Sequence, residues 1–68
     1  MNIGDCYKHI ASNMIGVVYY ISNDGKEIDM RFEVEDLDEG VLNFTTSVSN
    51  VSLYTHYIKV SSLEKELL

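Results

Sequence analysis

Between Lys26 and Glu35 the chain alternates with a period of two. Ile28, Met30, Phe32 and Val34 fall on one side, and Glu27, Asp29, Arg31, Glu33 and Glu35 on the other. A helix would scatter those four apolar residues around its axis. A strand gathers them on one face and leaves the charged set on the other, the pattern of a half-buried antiparallel strand. Asn23-Asp24-Gly25 stands just before it and reads as a hairpin turn, because Asp-Gly tolerates positive φ. Asp36-Leu37-Asp38-Glu39-Gly40 stands just after it and reads as a second turn, with Gly40 available for a left-handed position. The chain is therefore expected to be built around a strand whose neighbours are brought back by two tight turns.

The neighbours have strand chemistry of their own. Met14 to Ser22 (MIGVVYYIS) is rich in β-branched and aromatic residues and apolar on both faces, so a central strand covered on both sides is expected. Gly16 inside it suggests a bulge or a sharp bend. Asp5 to Ile10 is a first strand, with Cys6, Lys8 and Ile10 on one face and Tyr7 and His9 on the other, followed by a turn at Ala11 to Asn13. Val41 to Ser47 is a fourth strand with Leu42 and Phe44 inward, and Ser47 to Asn50 a loose polar connection. Val51 to Val60 is expected as a fifth strand, bent near Thr55 and His56. Ser61 and Glu64 fit a capping box for a last helical turn over Ser62 to Leu68, with Leu63 and Leu67 against the end of the fold.

Five short strands and tight turns in 68 residues predict one all-β domain, a small five-stranded antiparallel SH3-like barrel with a short C-terminal helical turn. Its first and last strands must pair or be covered, since open edges invite aggregation. The opening GDCYKH (Gly4 to His9) and the closing YIKVSSLEKEL (Tyr57 to Leu67) resemble the small SH3-like barrel proteins of bacteria and their phages. That resemblance implies a fold and no function.

The charge is concentrated. Asp24, Glu27, Asp29, Glu33, Glu35, Asp36, Asp38 and Glu39, set against Lys26 and Arg31, carry the whole formal charge of −6; acids and bases balance in the rest. A pI near 4.5 argues against direct nucleic-acid or anionic-membrane binding and for a basic partner or plain solubility. One cysteine, no signal-like leader and no long apolar run lead to the expectation of a cytoplasmic protein.

Catalytic and metal chemistry find little support. Cys6 and His9 fall on opposite strand faces, and with His56 they are one short of a structural zinc set. DLDEG lacks the ligand spacing of a calcium loop, and no glycine-rich phosphate loop is present. No catalytic residues, metal or cofactor are expected. The five tyrosines read as core packing with wet hydroxyls, with Tyr54 and Tyr57 open to an interface role.

The acidic stretch admits two readings. In one, a generic SH3-like interaction or assembly module carries a solvated strand face that keeps it soluble and guards an edge. In the other, Glu27, Asp29, Glu33, Glu35, Asp36, Asp38 and Glu39 form a partner-binding row. Alternate strand residues lie about 6.7 Å apart, a coarse match to phosphates that rise about 3.4 Å per nucleotide. Arg31 interrupts the row. In size and charge pattern the chain resembles phage-encoded acidic DNA mimics, which occupy the DNA-binding surface of a host protein such as the histone-like nucleoid protein HU. The resemblance implies a basic DNA-binding protein as partner, in the cytoplasm of a bacterial host.

Clustered like charge on so small a domain predicts a salt response. Raising salt from low to physiological levels screens the repulsion and should raise the melting temperature, by about 3 °C on the scale of small domains. Calorimetry measures it, and a fall over that range would contradict a clustered acidic surface.

Overall fold

The computed structural model describes residues 1–60, with Asp36 described by its backbone; the expected capping box and helical turn after Val60 lie outside this range. The elements are β1 (Cys6–His9), β2 (Ile15–Ile21), β3 (Glu27–Asp36), β4 (Gly40–Ser49), α1 (Asn50–His56) and β5 (Tyr57–Val60). The five strands form one antiparallel sheet in the order β4-β3-β2-β1-β5. The small all-β fold is therefore as the pattern predicts. β4 and β5 stand at the two ends of this order, and among the described residues no pairing between them closes the sheet into a barrel.

The sheet is nevertheless curled. Four strand spacings of a flat sheet would put β4 and β5 about 19 Å apart. The eight-residue step from Ser49 to Tyr57, mostly helix, spans only about 12 Å. Its two ends are tied to the sheet: the Asn50 N–H donates to the Lys26 carbonyl at 2.9 Å, and the Ile10 N–H to the His56 carbonyl at 3.0 Å. The edges must bend toward each other for so short a link to join them.

That link corrects the expected fifth strand, which is only Tyr57–Val60 and pairs with β1 from His9↔Tyr57 to Cys6↔Val60. The segment before it is helical because Ser49 caps it, its Oγ accepting from the Ser52 N–H at 3.1 Å. Thr55 Oγ1 donates back to the Val51 carbonyl, satisfying a hydroxyl that strand alternation would have sent elsewhere. Only Leu53 of this helix is buried, and it is fully so. The expected loose connection at Ser47 to Asn50 is instead the end of β4 and the cap.

Leu53 completes a core of Tyr7, Val18, Ile28, Met30 and Phe32, with Met14, Ile21, Val48 and Tyr57 packed around it. On β3 the alternation holds: Ile28, Met30 and Phe32 are buried and Val34 half-buried, while Glu27, Arg31, Glu33 and Glu35 are exposed. β2 is central, between β3 and β1, but it is not covered on both faces. Gly16 and Val18 are buried, whereas Ile15 and Val17 are half-buried and Tyr19 and Tyr20 exposed.

The irregularity expected at Gly16 lies three residues on, where the β2–β3 register shifts between Val18 and Tyr20. The bulge leaves both tyrosines beside the charged face, with the Arg31 guanidinium 5.5 Å from the Tyr19 ring centre. Gly16 has a different reason. It pairs with Phe32, whose ring lies across it, and a Cβ there would sit 2.7 Å from two ring carbons.

Gly16→Ala should therefore cost about 1–3 kcal/mol by overpacking, although alanine is otherwise the better strand residue. Leu53→Ala should cost about 2–5 kcal/mol as a core truncation. Urea denaturation measures both, and a neutral Gly16→Ala would show that the Phe32 ring does not hold this position.

Candidate interface on the acidic hairpin

β3 and β4 pair over their full length, from Glu27↔Ser49 to Asp36↔Gly40. The β2–β3 pairing stops at Gly16↔Phe32. Past Glu33, which lies opposite Ile15 at the start of β2, the hairpin continues alone among the described residues, with residues 34–36 of β3 paired to residues 40–42 of β4. Three residues of strand project about 10 Å. The molecule measures 39 × 20 × 20 Å, and this two-stranded arm contributes to its length.

The arm divides the predicted site residues. Glu33, Glu35 and Asp36 lie on the projecting strand, and Asp38 and Glu39 in the turn at its tip. Glu27 and Asp29 lie toward the opposite end of β3, about 30 Å and about 23 Å from Asp36 at the strand rise. The seven acids are thus not one row. Five are gathered at the arm, and two sit at its root beyond Arg31.

The two groups differ in surroundings. Asp29 is half-buried and accepts a short hydrogen bond from Ser47 Oγ on β4, so it is part of the sheet's own cross-strand bonding. Glu33 and Glu35 are exposed opposite Asn43 and Val41 of β4. Uncharged neighbours leave their field unopposed across the strand. Gly40, at φ 81°, provides the left-handed step that brings the chain into β4.

The root of β3 has a fixed turn. Asp24 accepts from Ser22 Oγ at 2.6 Å and from the Lys26 N–H at 3.0 Å, and these bonds hold its carboxyl below the usual carboxylate range. At the far side of the sheet the Asn2 N–H, and then Lys59 at 3.6 Å, do the same for Asp5. Both carboxylates are occupied with local structure.

The reverse face of the arm is apolar. Phe44 stacks on Phe32 with ring centres 5.3 Å apart, yet it stays 44% exposed, and Leu42 stays 39% exposed. Both point to the inner face as expected, but the core does not reach them. Leu37, in the tip itself, is fully exposed. These three residues are the part of the candidate surface that charge counting passed over. The signal available for Leu37 was an apolar residue inside an otherwise acidic turn.

Beside Phe44 the inner face opens into a shallow groove lined by His9, Ser12, Met14, Phe32, Thr46 and Tyr57. His9 Nδ1 lies 2.9 Å from Ser12 Oγ, and its ring 4.9 Å from that of Tyr57. Burial pushes the Tyr57 phenol up, as it does that of Tyr7. Cys6 is buried, with its sulfur 3.9 Å from the Gly4 carbonyl oxygen, away from that groove. Among the described residues no three of His, Cys, Asp and Glu come together as a metal set, and no helix is long and apolar enough to cross a membrane. Tyr54 is 72% exposed on α1, apart from Tyr57 on β5. Comparison with protein-family models, curated proteins and solved structures finds no match to the chain.

Proposed function

We propose that the chain is a non-catalytic binding protein whose acidic arm occupies the basic, DNA-binding surface of another protein. One observation carries the reading: five of the eleven acids stand on a two-stranded arm that outgrows the core. A solubilising charge needs no such projection. A charge meant to enter a groove does.

Glu33 and Glu35 are alternate strand residues about 6.7 Å apart, and Asp36, Asp38 and Glu39 extend the negative field around the tip. A groove lined by Lys and Arg to take successive phosphates meets charges at comparable spacing. Because the strand pair is already formed, little chain entropy is lost when they engage. Leu37 and the apolar reverse side at Leu42 and Phe44 add contacts that phosphates do not offer. Glu27, exposed at the root, and Asp29, engaged there by Ser47, form the secondary part of the surface. Association governed by such a field is fast and falls steeply with ionic strength.

Capture from a bacterial lysate at low and high salt tests the proposal. The retained proteins should be DNA-binding, should be lost at high salt and should be displaced by duplex DNA. Reversal of the arm charges (Glu33→Lys, Glu35→Lys and Asp36→Lys together) should weaken capture at least tenfold, and Glu27→Lys much less. Capture indifferent to salt and to the arm charges would favour the solubility reading instead, in which the domain is a general interaction module.

A further inference from the structure

We propose that β4 is a self-pairing edge, along which two copies of the chain join antiparallel into one continuous sheet. Among the described residues, β4 has a hydrogen-bonded neighbour strand on one side only. The phase of its ladder follows from the bond between the Asn50 N–H and the Lys26 carbonyl, because antiparallel bonding alternates residue by residue. Leu42, Phe44, Thr46 and Val48 turn their backbone groups toward β3. Val41, Asn43, Thr45, Ser47 and Ser49 turn theirs to the open edge.

This edge has none of the usual guards. From Gly40 to Ile58 there is no Asp, Glu, Lys, Arg or Pro, in a chain that is 24% charged. The β3–β4 register runs from end to end without a bulge. Lysines, prolines, bulges and shortness are what keep edge strands from pairing. The other edge of the order, β5, is short at four residues and carries Lys59.

Charge selects the occupant and its direction. A basic partner is drawn to the arm rather than to a neutral edge. A second copy carries −6, and parallel pairing would bring the two acidic tips side by side. Antiparallel pairing about a two-fold axis at Thr45 sends the tips to opposite ends of the dimer. Each tip then lies beside the uncharged Ser49–Asn50 end of the other copy. In this register Thr45 meets Thr45 of the second copy, Asn43 meets Ser47 and Val41 meets Ser49, so every outward backbone group on these residues has a partner.

Face parity is kept as well. Leu42 and Phe44 come opposite Val48 and Thr46 of the second copy, which covers the two inner-face side chains that the core leaves exposed. The pairing is isologous and closes at two chains, with β4 consumed on both sides. It rests on the edge alone and stands whether or not the arm binds a DNA-binding protein.

Sedimentation of the full chain at about 100 μM tests it, well above a micromolar dissociation constant. The expected mass is twice the 7.8 kDa of one chain. Thr45→Pro removes an N–H that faces the open edge and leaves the β3 ladder whole, so it should weaken dimerisation at least tenfold with an unchanged circular dichroism spectrum. Asn43→Lys combined with Ser47→Lys sets lysine against lysine across the two-fold axis, while within one chain each faces an acid, Glu33 or Asp29. That double variant should also be monomeric, and it decides the matter should the proline variant fail to fold. Mild oxidation of Thr45→Cys should link the two copies through a disulfide. A wild-type mass of one chain, or a dimer that both the proline and the double-lysine variants leave intact, would overturn the proposal.

Discussion

The Phe32 ring, laid across Gly16 of β2 and stacked on Phe44 of β4, is the contact on which the rest of the structure depends. It is the last point at which three strands share the core. On one side of it lie Ile28, Met30, Val18, Tyr7 and Leu53, buried and packed against one another. On the other side β3 and β4 continue without a third strand. A side chain at position 16 would push the ring away and leave the root of the hairpin without its seat. The arm is therefore a consequence of a packing choice inside the domain.

The division of labour along β3 follows from this. On the core side of Phe32, two of its charged residues serve the sheet: Asp29 accepts from Ser47, and Arg31 lies over Tyr19. Beyond Phe32, Glu33 and Glu35 face solvent on one side of a strand pair whose other side is apolar. Small domains have few residues to spare for surface that does not support the core. A two-stranded extension with an acidic outer face, an exposed Leu37 at its tip and an uncharged edge along β4 is hard to account for by stability alone. It presents two different surfaces, a charged one on the arm and an uncharged one along the edge of β4.

Much of this was legible in the residues because period-two alternation and turn chemistry are local signals. β3, the Asp-Gly turn, the acidic second turn and the antiparallel architecture all follow from them. What was not legible depends on long-range geometry. Alternation says which face Leu42 and Phe44 occupy, but not that the core ends before reaching them. Gly16 reads as a bulge or a sharp bend; that it instead makes room for a ring depends on Phe32, sixteen residues away. Val51, Leu53, Thr55 and Tyr57 alternate well enough to read as strand. They become helix and then strand because Ser49 caps the segment and because a short link must join the two edges of a curled sheet. That the acids fall into two groups was equally hidden, since Glu27 and Glu39 lie in one continuous run of sequence.

The central claim is that a preformed two-stranded arm carries the acids beyond the core, and amide hydrogen exchange tests it most directly. By the alternation of the ladder, Val34 and Leu42 bond to each other across the arm, whereas the amide of Glu35 points to the side where β2 has ended, Glu33 lying opposite Ile15, the first residue of β2. The account predicts measurable protection at Val34 and Leu42, weaker than at Met30, together with fast exchange at Glu35. Unprotected exchange at Val34 and Leu42 would mean that the arm does not form, and protection at Glu35 equal to that of Met30 would mean that it does not project.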